Sequence, residues 1–310
     1  MRVIFLGTPE FALNILGGIA KSNHQIIGVV TQIDKINARG NKVVFSKVKE
    51  YAIANNIPIF QYKNISIEGE KDLRALDADI MVTAAFGQIL RQNILDICKY
   101  GIINVHASLL PKYRGSSPVQ WALINGEKTI GVSIMQTELG IDTGDVILQK
   151  EVSLSGDENS AQALDILAEV GASAIVEALD LIEKGQAKFV KQNNDEATHC
   201  RMLIKEDGLI DFSNKASEIV NFVRGMTPWP SAYTDSNNGR IKILKAEECD
   251  FFGGSRFGEV VAYDNKNGII VKCGVGYIRI LVIQGENSKA MDAKAYLLGK
   301  KLPIGSVLGG

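Results

Sequence analysis

Residues 1–11 read Met-Arg-Val-Ile-Phe-Leu-Gly-Thr-Pro-Glu-Phe. Val3 to Leu6 form a short apolar run that Gly7 closes. Pro9 suits the start of a helix, where a missing N–H costs nothing. Phe11 to Ala20 then reads as that helix. Working outward, Ile26 to Thr31 reads as a second strand, Lys47 to Asn55 as a helix and Ile57 to Phe60 as a third strand. Ile80 to Ala84 is a fourth apolar run, Ile89 to Ile97 looks helical, and Gly101 to His106 is a fifth strand. Strands alternating with helices predict an α/β, Rossmann-like domain on a parallel sheet. Ligands of such sheets bind beyond the C-terminal ends of the strands. The first turn, Gly7-Thr-Pro-Glu10, lacks the GxGxxG pattern, and Pro9 removes an N–H where a pyrophosphate needs one. A dinucleotide is therefore disfavoured.

The pattern changes after Thr143. Asp145 to Val152 is extended, and Asn159 to Glu183 is one long amphipathic helix. Gly185 to His199 is polar and mixed, as a linker is. Ala216 to Arg224 reads as a helix. Short segments follow at Ile241 to Lys245, Gly258 to Ala262, Gly268 to Cys273 and Tyr277 to Ile283, separated by Gly and Asn. Short, evenly spaced strands predict a smaller OB-like β-barrel. The expected division is a catalytic domain over residues 1–189, a linker over 190–205 and a C-terminal domain over 206–310.

Composition narrows the function classes. The chain has 310 residues, 46% of them hydrophobic, and a net charge of -1. Such a balance does not announce a nucleic-acid binder, although a local patch can still serve one. Cys98, Cys200, Cys249 and Cys273 are scattered without a CxxC pair and read as reduced thiols. His24, His106 and His199 make no His/Cys cluster, so no metal is expected. No apolar run reaches the length of a membrane span, and the start lacks the pattern of a secretory signal. A cytoplasmic protein without a membrane partner is expected.

The chemistry concentrates in Gly101-Ile-Ile-Asn-Val-His-Ala-Ser-Leu-Leu-Pro-Lys-Tyr-Arg-Gly115. On a strand, Asn104 and His106 share one face, with Ile103 and Val105 on the other. Buried polar groups need partners or a task, and the pair reads equally well as a satisfied strand end. A second polar cluster is Gly140-Ile-Asp-Thr-Gly-Asp145, where two glycines let the chain turn tightly around Asp142. By itself that is ordinary loop geometry. Together the clusters make an Asn/His/Asp constellation, in which the carboxylate would orient the imidazole and favour its protonated form. An amide and a histidine can share the charge that develops on an acyl oxygen. That suits acyl transfer to an amine. No GxSxG elbow supports a serine nucleophile.

These stretches resemble the folate-dependent formyltransferase family. The likeness rests on FLGTPEF near the start, AAFGQIL at Ala84–Leu90, INVHASLLPKYRGSSPVQWAL at Ile103–Leu123, GVSIMQTELGIDTGD at Gly131–Asp145 and RGMTPWPSAY at Arg224–Tyr233. His106 and Asp142 stand 36 positions apart, as in the family. The resemblance implies that Asn104, His106 and Asp142 are the catalytic trio. It implies that Ser108, Leu109, Leu110 and Pro111 contact the folate, and that Phe86, Gly87, Gln88, Ile89 and Leu90 wall the pterin pocket. The implied donor is 10-formyltetrahydrofolate, with no metal, and the protein is expected to be a monomer.

The resemblance is strongest to members that formylate the amino group of methionine on initiator tRNA. About 100 residues beyond the catalytic domain set the chain apart from family members that act on glycinamide ribonucleotide. A nucleotide-sugar N-formyltransferase remains the alternative, since such enzymes can carry a similar second domain. GTPEF after the first strand favours tRNA, as does the insertion Thr31–Phe45. Residues 35–50 hold Lys35, Arg39, Lys42, Lys47 and Lys49 against one acid, Glu50. Such a loop suits phosphate contacts, although by charge alone it is also a solvated surface cluster. The family pattern TQPDRPAGRGKK stands here as TQIDKINARGNK, two prolines fewer, which leaves the free loop less pre-organised. The resemblance carries tRNA binding to Arg39 and Lys42.

Overall fold

A computed structural model describes residues 1–36, 43–237, 239–264, 268–299 and 302–309. Arg39 and Lys42 lie outside the described residues. The chain divides into two compact units, one of residues 1–115, 129–152 and 164–200, the other of residues 116–128, 153–163 and 201–310.

The first unit is built on a seven-stranded sheet. Its strands are β1 (Arg2–Gly7), β2 (Gln25–Thr31), β3 (Ile59–Gln61), β4 (Ile80–Ala84), β5 (Ile102–His106), β6 (Thr129–Gln136) and β7 (Val146–Ser153), in the order β7-β6-β5-β4-β1-β2-β3. β3, β2, β1, β4 and β5 are mutually parallel. β6 joins β5 antiparallel. The parallel part has the Rossmann order 3-2-1-4-5, so its switch point lies between β1 and β4. β1 and β4 are almost wholly buried apolar runs, as strands covered on both faces must be.

The helix Glu10–Ala20 buries Ala12, Ile15, Leu16 and Ile19, one stripe at the helical period. Its Gly18 meets Ala172 of the helix Ser160–Glu183 so closely that a Cβ would overlap the Ala172 backbone. The turn after β1 is equally tight, because a Cβ on Gly7 would meet Ala12 and the Ala84 carbonyl. Gly7 therefore serves packing.

Of the helix expected over 89–97, only Gln92–Leu95 forms. Ser66 takes backbone groups the rest would need: its Oγ donates to Ile89 O and accepts the Arg91 N–H. Residues 190–200, read from sequence as part of the linker, belong to the first compact unit. Val190 bridges Val146, and His199–Cys200 runs parallel to Arg114–Gly115. His24 is 4% exposed.

In the second unit, β8 (Ala232–Ser236), β9 (Gly239–Cys249), β10 (Val260–Asp264), β11 (Gly268–Lys272), β12 (Tyr277–Gly285) and β13 (Met291–Asp292) form an antiparallel sheet in the order β8-β9-β12-β11-β10, with β13 on β12. Ile219, Val223 and Met226 of the helix Ala216–Met226 share one core with Ile241, Ile269, Ile278 and Ile280 of the strands. The helix Pro118–Ile124 lies against that helix at Gly225, where a Cβ would overlap Ile124 and the Gln120 carbonyl. Among the described residues no helix is long and apolar enough to cross a membrane.

Candidate active site

Asn104 and His106 stand on β5, two residues apart and so on one face. Thr83, the parallel neighbour of Asn104 on β4, donates its hydroxyl to Asn104 Oδ1 at 2.8 Å. The amide oxygen is thereby committed to the sheet, and the NH2 is the donor end left for a ligand. His106 is 6% exposed. Its Nε2 lies 2.9 Å from the Tyr113 carbonyl oxygen. A carbonyl only accepts, so Nε2 carries the proton there. Nδ1 lies 3.6 Å from Asp142 Oδ2.

Asp142 reaches the site from a loop and has a positive φ of 52°. Its Oδ2 accepts the Gly115 N–H at 2.8 Å. Glycine is required on both sides of that contact. A Cβ on Gly115 would overlap the Cys200 carbonyl, and one on Gly144 would overlap the Gln136 carbonyl. The loop backbone is held by Gln192, whose Nε2 donates to Asp142 O at 2.9 Å and Gly144 O at 2.7 Å. Gln192 Oε1 accepts from Arg114 Nε at 3.0 Å and Nη2 at 2.8 Å. Arg114 is buried and also donates to Asn194. Burial and these partners assign it to the scaffold.

Ser108 to Pro111 form the turn after β5. Ser108 Oγ donates to Lys112 O at 2.7 Å. Ser133 on β6, fully buried, donates to Ser108 O at 2.7 Å and accepts from Leu110 N at 3.0 Å. Gln149 of β7 donates to Ser133 Oγ and Leu110 O. Phe86 to Leu90 follow β4. Phe86 and Leu90 turn into the core, while Ile89 is exposed. Gln88 is spent on its neighbours, accepting from Ile65 N and donating to Tyr62 O, both at 2.9 Å. Gln32, just past β2, donates to Phe86 O at 2.8 Å and accepts from Gln61 at 2.7 Å. Its N–H reaches Thr8, so it ties together the ends of β1, β2, β3 and β4.

Residues 1–179 match the family model described as formyl transferase, and residues 202–301 match the formyl transferase C-terminal domain. The chain belongs to the formyl transferase family. It is 41% identical over 310 residues to a methionyl-tRNA formyltransferase of Caldanaerobacter subterraneus subsp. tengcongensis, covering 99% of this chain and 100% of the relative. It is 43% identical to a methionyl-tRNA formyltransferase of Clostridioides difficile, with 100% of both chains covered. Among solved structures, an N-formyltransferase from Helicobacter canadensis in complex with folinic acid and dTDP-3-aminofucose has the same fold. Its TM-score is 0.69 at 20% identity, covering 90% of this chain and 98% of that one.

Within this formyl transferase the structure brings Asn104, His106 and Asp142 together, with Ser108–Pro111 following β5 directly. The sequence reading missed Thr83, Ser133, Gln149 and above all Gln192. Their only signal is polarity in or beside buried elements, which does not name a partner. In the insertion, Lys35–Ile36 pairs with Val43–Val44 as a small antiparallel ladder. Two basic residues just after it are already engaged: Lys49 with Asp34 at 2.5 Å and with Gln61, and Lys47 with Glu50 at 2.9 Å. Elsewhere, His24 gathers with Asp180 and Glu183, a grouping their spacing in sequence does not show. The Met1 ammonium donates to Glu183 at 2.8 Å and lies 3.1 Å from His24 Nδ1.

Proposed function

We propose that this formyl transferase moves the formyl group of 10-formyltetrahydrofolate to the amino group of methionine on initiator tRNA, in the cytoplasm and as a monomer. The observation that carries the chemistry is the convergence of Asn104 and His106, from a buried strand end, on Asp142, from a distant loop. The acceptor rests on relatives named methionyl-tRNA formyltransferase, matched over almost the whole chain at about 40% identity.

The residues fit a folate. With Phe86 and Leu90 turned inward, segment 86–90 offers a backbone edge beside the exposed Ile89. Such an edge suits a flat heteroaromatic ring with donors and acceptors along its rim. Ser108, Leu109, Leu110 and Pro111 would hold the donor on the other side, in a turn that Ser133 and Gln149 keep rigid. When bound, the donor supplies the formyl carbon that the methionine nitrogen attacks. The new C–N bond replaces the bond to the donor nitrogen, which takes up a proton as the amine loses one.

The chain's own residues lower the barrier by placing donors where charge develops. Asn104 Nδ2 donates to the formyl oxygen. His106 Nε2–H, resting here on Tyr113 O, is the second proton for which that oxygen competes. Asp142 Oδ2 holds the imidazole from its Nδ1 side and orders a water that carries the amine proton away. Arg39 and Lys42 would contact the tRNA backbone. Catalysis falls to residues 1–189 together with the residues 190–200 that pack into the same unit, and residues 201–205 lead to the C-terminal domain at 206–310.

The test is formyl transfer to charged initiator tRNA, with a nucleotide amino-sugar as competing acceptor and Arg39→Ala alongside. Transfer to tRNA, weakened by Arg39→Ala and not matched on the sugar, is the expected outcome. Transfer to the sugar alone overturns the acceptor while leaving the trio standing.

A further inference from the structure

A closed polar circuit runs behind the trio. It starts at His106 Nε2 and passes to the Tyr113 carbonyl oxygen. The next residue, Arg114, is buried, and its Nε and Nη2 both donate to Gln192 Oε1. Gln192 Nε2 then donates to Asp142 O and Gly144 O, one on each side of Thr143. Asp142 Oδ2 returns to the imidazole on its Nδ1 side and also takes the Gly115 N–H. The two acceptors that face the imidazole, Tyr113 O and Asp142 Oδ2, therefore belong to different segments. The Gln192 carboxamide ties those segments through the loop backbone, beside the direct bond from Gly115 N–H to the carboxylate.

Carboxamide is the group this position requires. Two carbonyl oxygens face one end of residue 192, so that end must donate. A guanidinium faces the other end, so that end must accept. Among side chains of this length only glutamine has both ends. Arg114 cannot lose its charge to relax the demand, and its burial leaves it few alternatives to Oε1 and Asn194 Oδ1. Asp142 meanwhile sits at a positive φ, a conformation that persists only where surroundings over-determine it.

We infer that Gln192 is a positioning residue for the reaction: it fixes Asp142 against His106 by locking the loop backbone to Arg114. The inference rests on the reading of Asp142 given under Proposed function. Gln192 touches no reacting atom, and its effect is transmitted only through the place of the carboxylate.

The test is a double-mutant cycle in the full-length chain, following formyl transfer from 10-formyltetrahydrofolate to charged initiator tRNA. Gln192→Glu keeps the length and the Arg114 partner but sets an oxygen against the Asp142 and Gly144 carbonyls. It is expected to lower kcat roughly 10- to 100-fold, the scale of an ångström-sized misplacement, with the donor KM nearly unchanged. In an Asp142→Asn background the same change is expected to lower kcat by less than about 3-fold, because residues acting through one another do not add. Gln192→Asn, one methylene shorter, supplies the cycle should the glutamate variant fold poorly, and thermal melting checks both. Multiplying effects, an unchanged kcat, or a raised donor KM with normal kcat would each overturn the inference. Wild-type turnover in Asp142→Asn alone would instead overturn the reading of Asp142 as catalytic.

Discussion

Asn104 and His106 ride a strand, whereas Asp142 rides a loop, and different physics holds the two halves of the site. The strand half is set by β5 itself. Its ladders to β4 and β6 fix the backbone, and alternation then dictates where residues 104 and 106 point. Thr83 needs only to choose which end of the amide faces out. The loop half has no ladder to fix it. Asp142 depends on two glycines that no Cβ could replace, a positive φ, and a carboxamide and guanidinium from residues 192 and 114. A strand residue inherits its position, but a loop residue must have it assembled from distant parts of the chain.

The largest expected effect lies on the strand half. His106→Ala and Asn104→Ala should each lower kcat about 10²–10³-fold, as losing one oxyanion donor does. Donor affinity should change little, because the segments proposed to hold the folate ring, 86–90 and 108–111, are left intact. Steady-state rates with equilibrium folate binding check this, and full activity in either variant would remove β5 from the site.

On the loop half, Gly144→Ala forces the chain away from the Gln136 carbonyl. Overpacking of this kind costs about 1–3 kcal/mol. The loop can yield, so the greater effect should fall on kcat, by roughly ten-fold or more as Asp142 moves. A melting curve beside the rate shows whether the site fails before the fold does.

Ser133→Ala probes the turn 108–111 proposed to contact the folate, which mixes the two cases. It removes a buried hydroxyl that serves Ser108, Leu110 and Gln149. Stability should fall by about 1–3 kcal/mol, and the donor KM should rise while kcat stays near the wild-type value. A fall in kcat alone would tie this turn to the trio instead.

The smallest effect at neutral pH belongs to a loop outside the site that uses the device seen at Asp142. Burial pushes the Glu158 carboxyl up, but bonds from Ser155 N and Oγ and from Gly156 N outweigh it and hold the group at about 2. A depressed carboxyl stabilises fully above its unfolded value of 4.5 and loses that contribution as pH falls toward 2. Wild type should therefore melt above Glu158→Gln at neutral pH, and the two curves should converge between pH 4.5 and 2. A constant gap across that range would show that the carboxylate is not what holds the loop. The thiols of Cys98 and Cys273, pushed up to about 12 by burial, remain silent throughout.

Much of this was legible in the residues. The apolar runs of β1, β2, β4 and β5 mark the sheet because a strand covered on both faces must be apolar throughout. The spacing of Asn104 and His106 places them on one face for the same geometric reason. The small helix Gln92–Leu95 shows the limit: Ser66, more than twenty residues away, claims the Ile89 carbonyl and the Arg91 N–H that local propensity gave to a longer helix. Gln192 shows it more sharply, since a lone glutamine in a polar stretch carries no local signal.

The sequence by itself determined the alternation of strands and helices, the antiparallel second region and the family, and its motifs pointed to Asn104, His106 and Asp142 as the residues to propose for catalysis. These depend on periodicity and on short motifs, which neighbouring residues define. Only the tertiary structure decided that β6 turns antiparallel beside β5, that Arg114 is buried scaffold, and that Gln192 ties residue 114 to residue 142. Hydrogen bonds between distant segments obey donor and acceptor geometry in space, and a linear order of residues does not contain it.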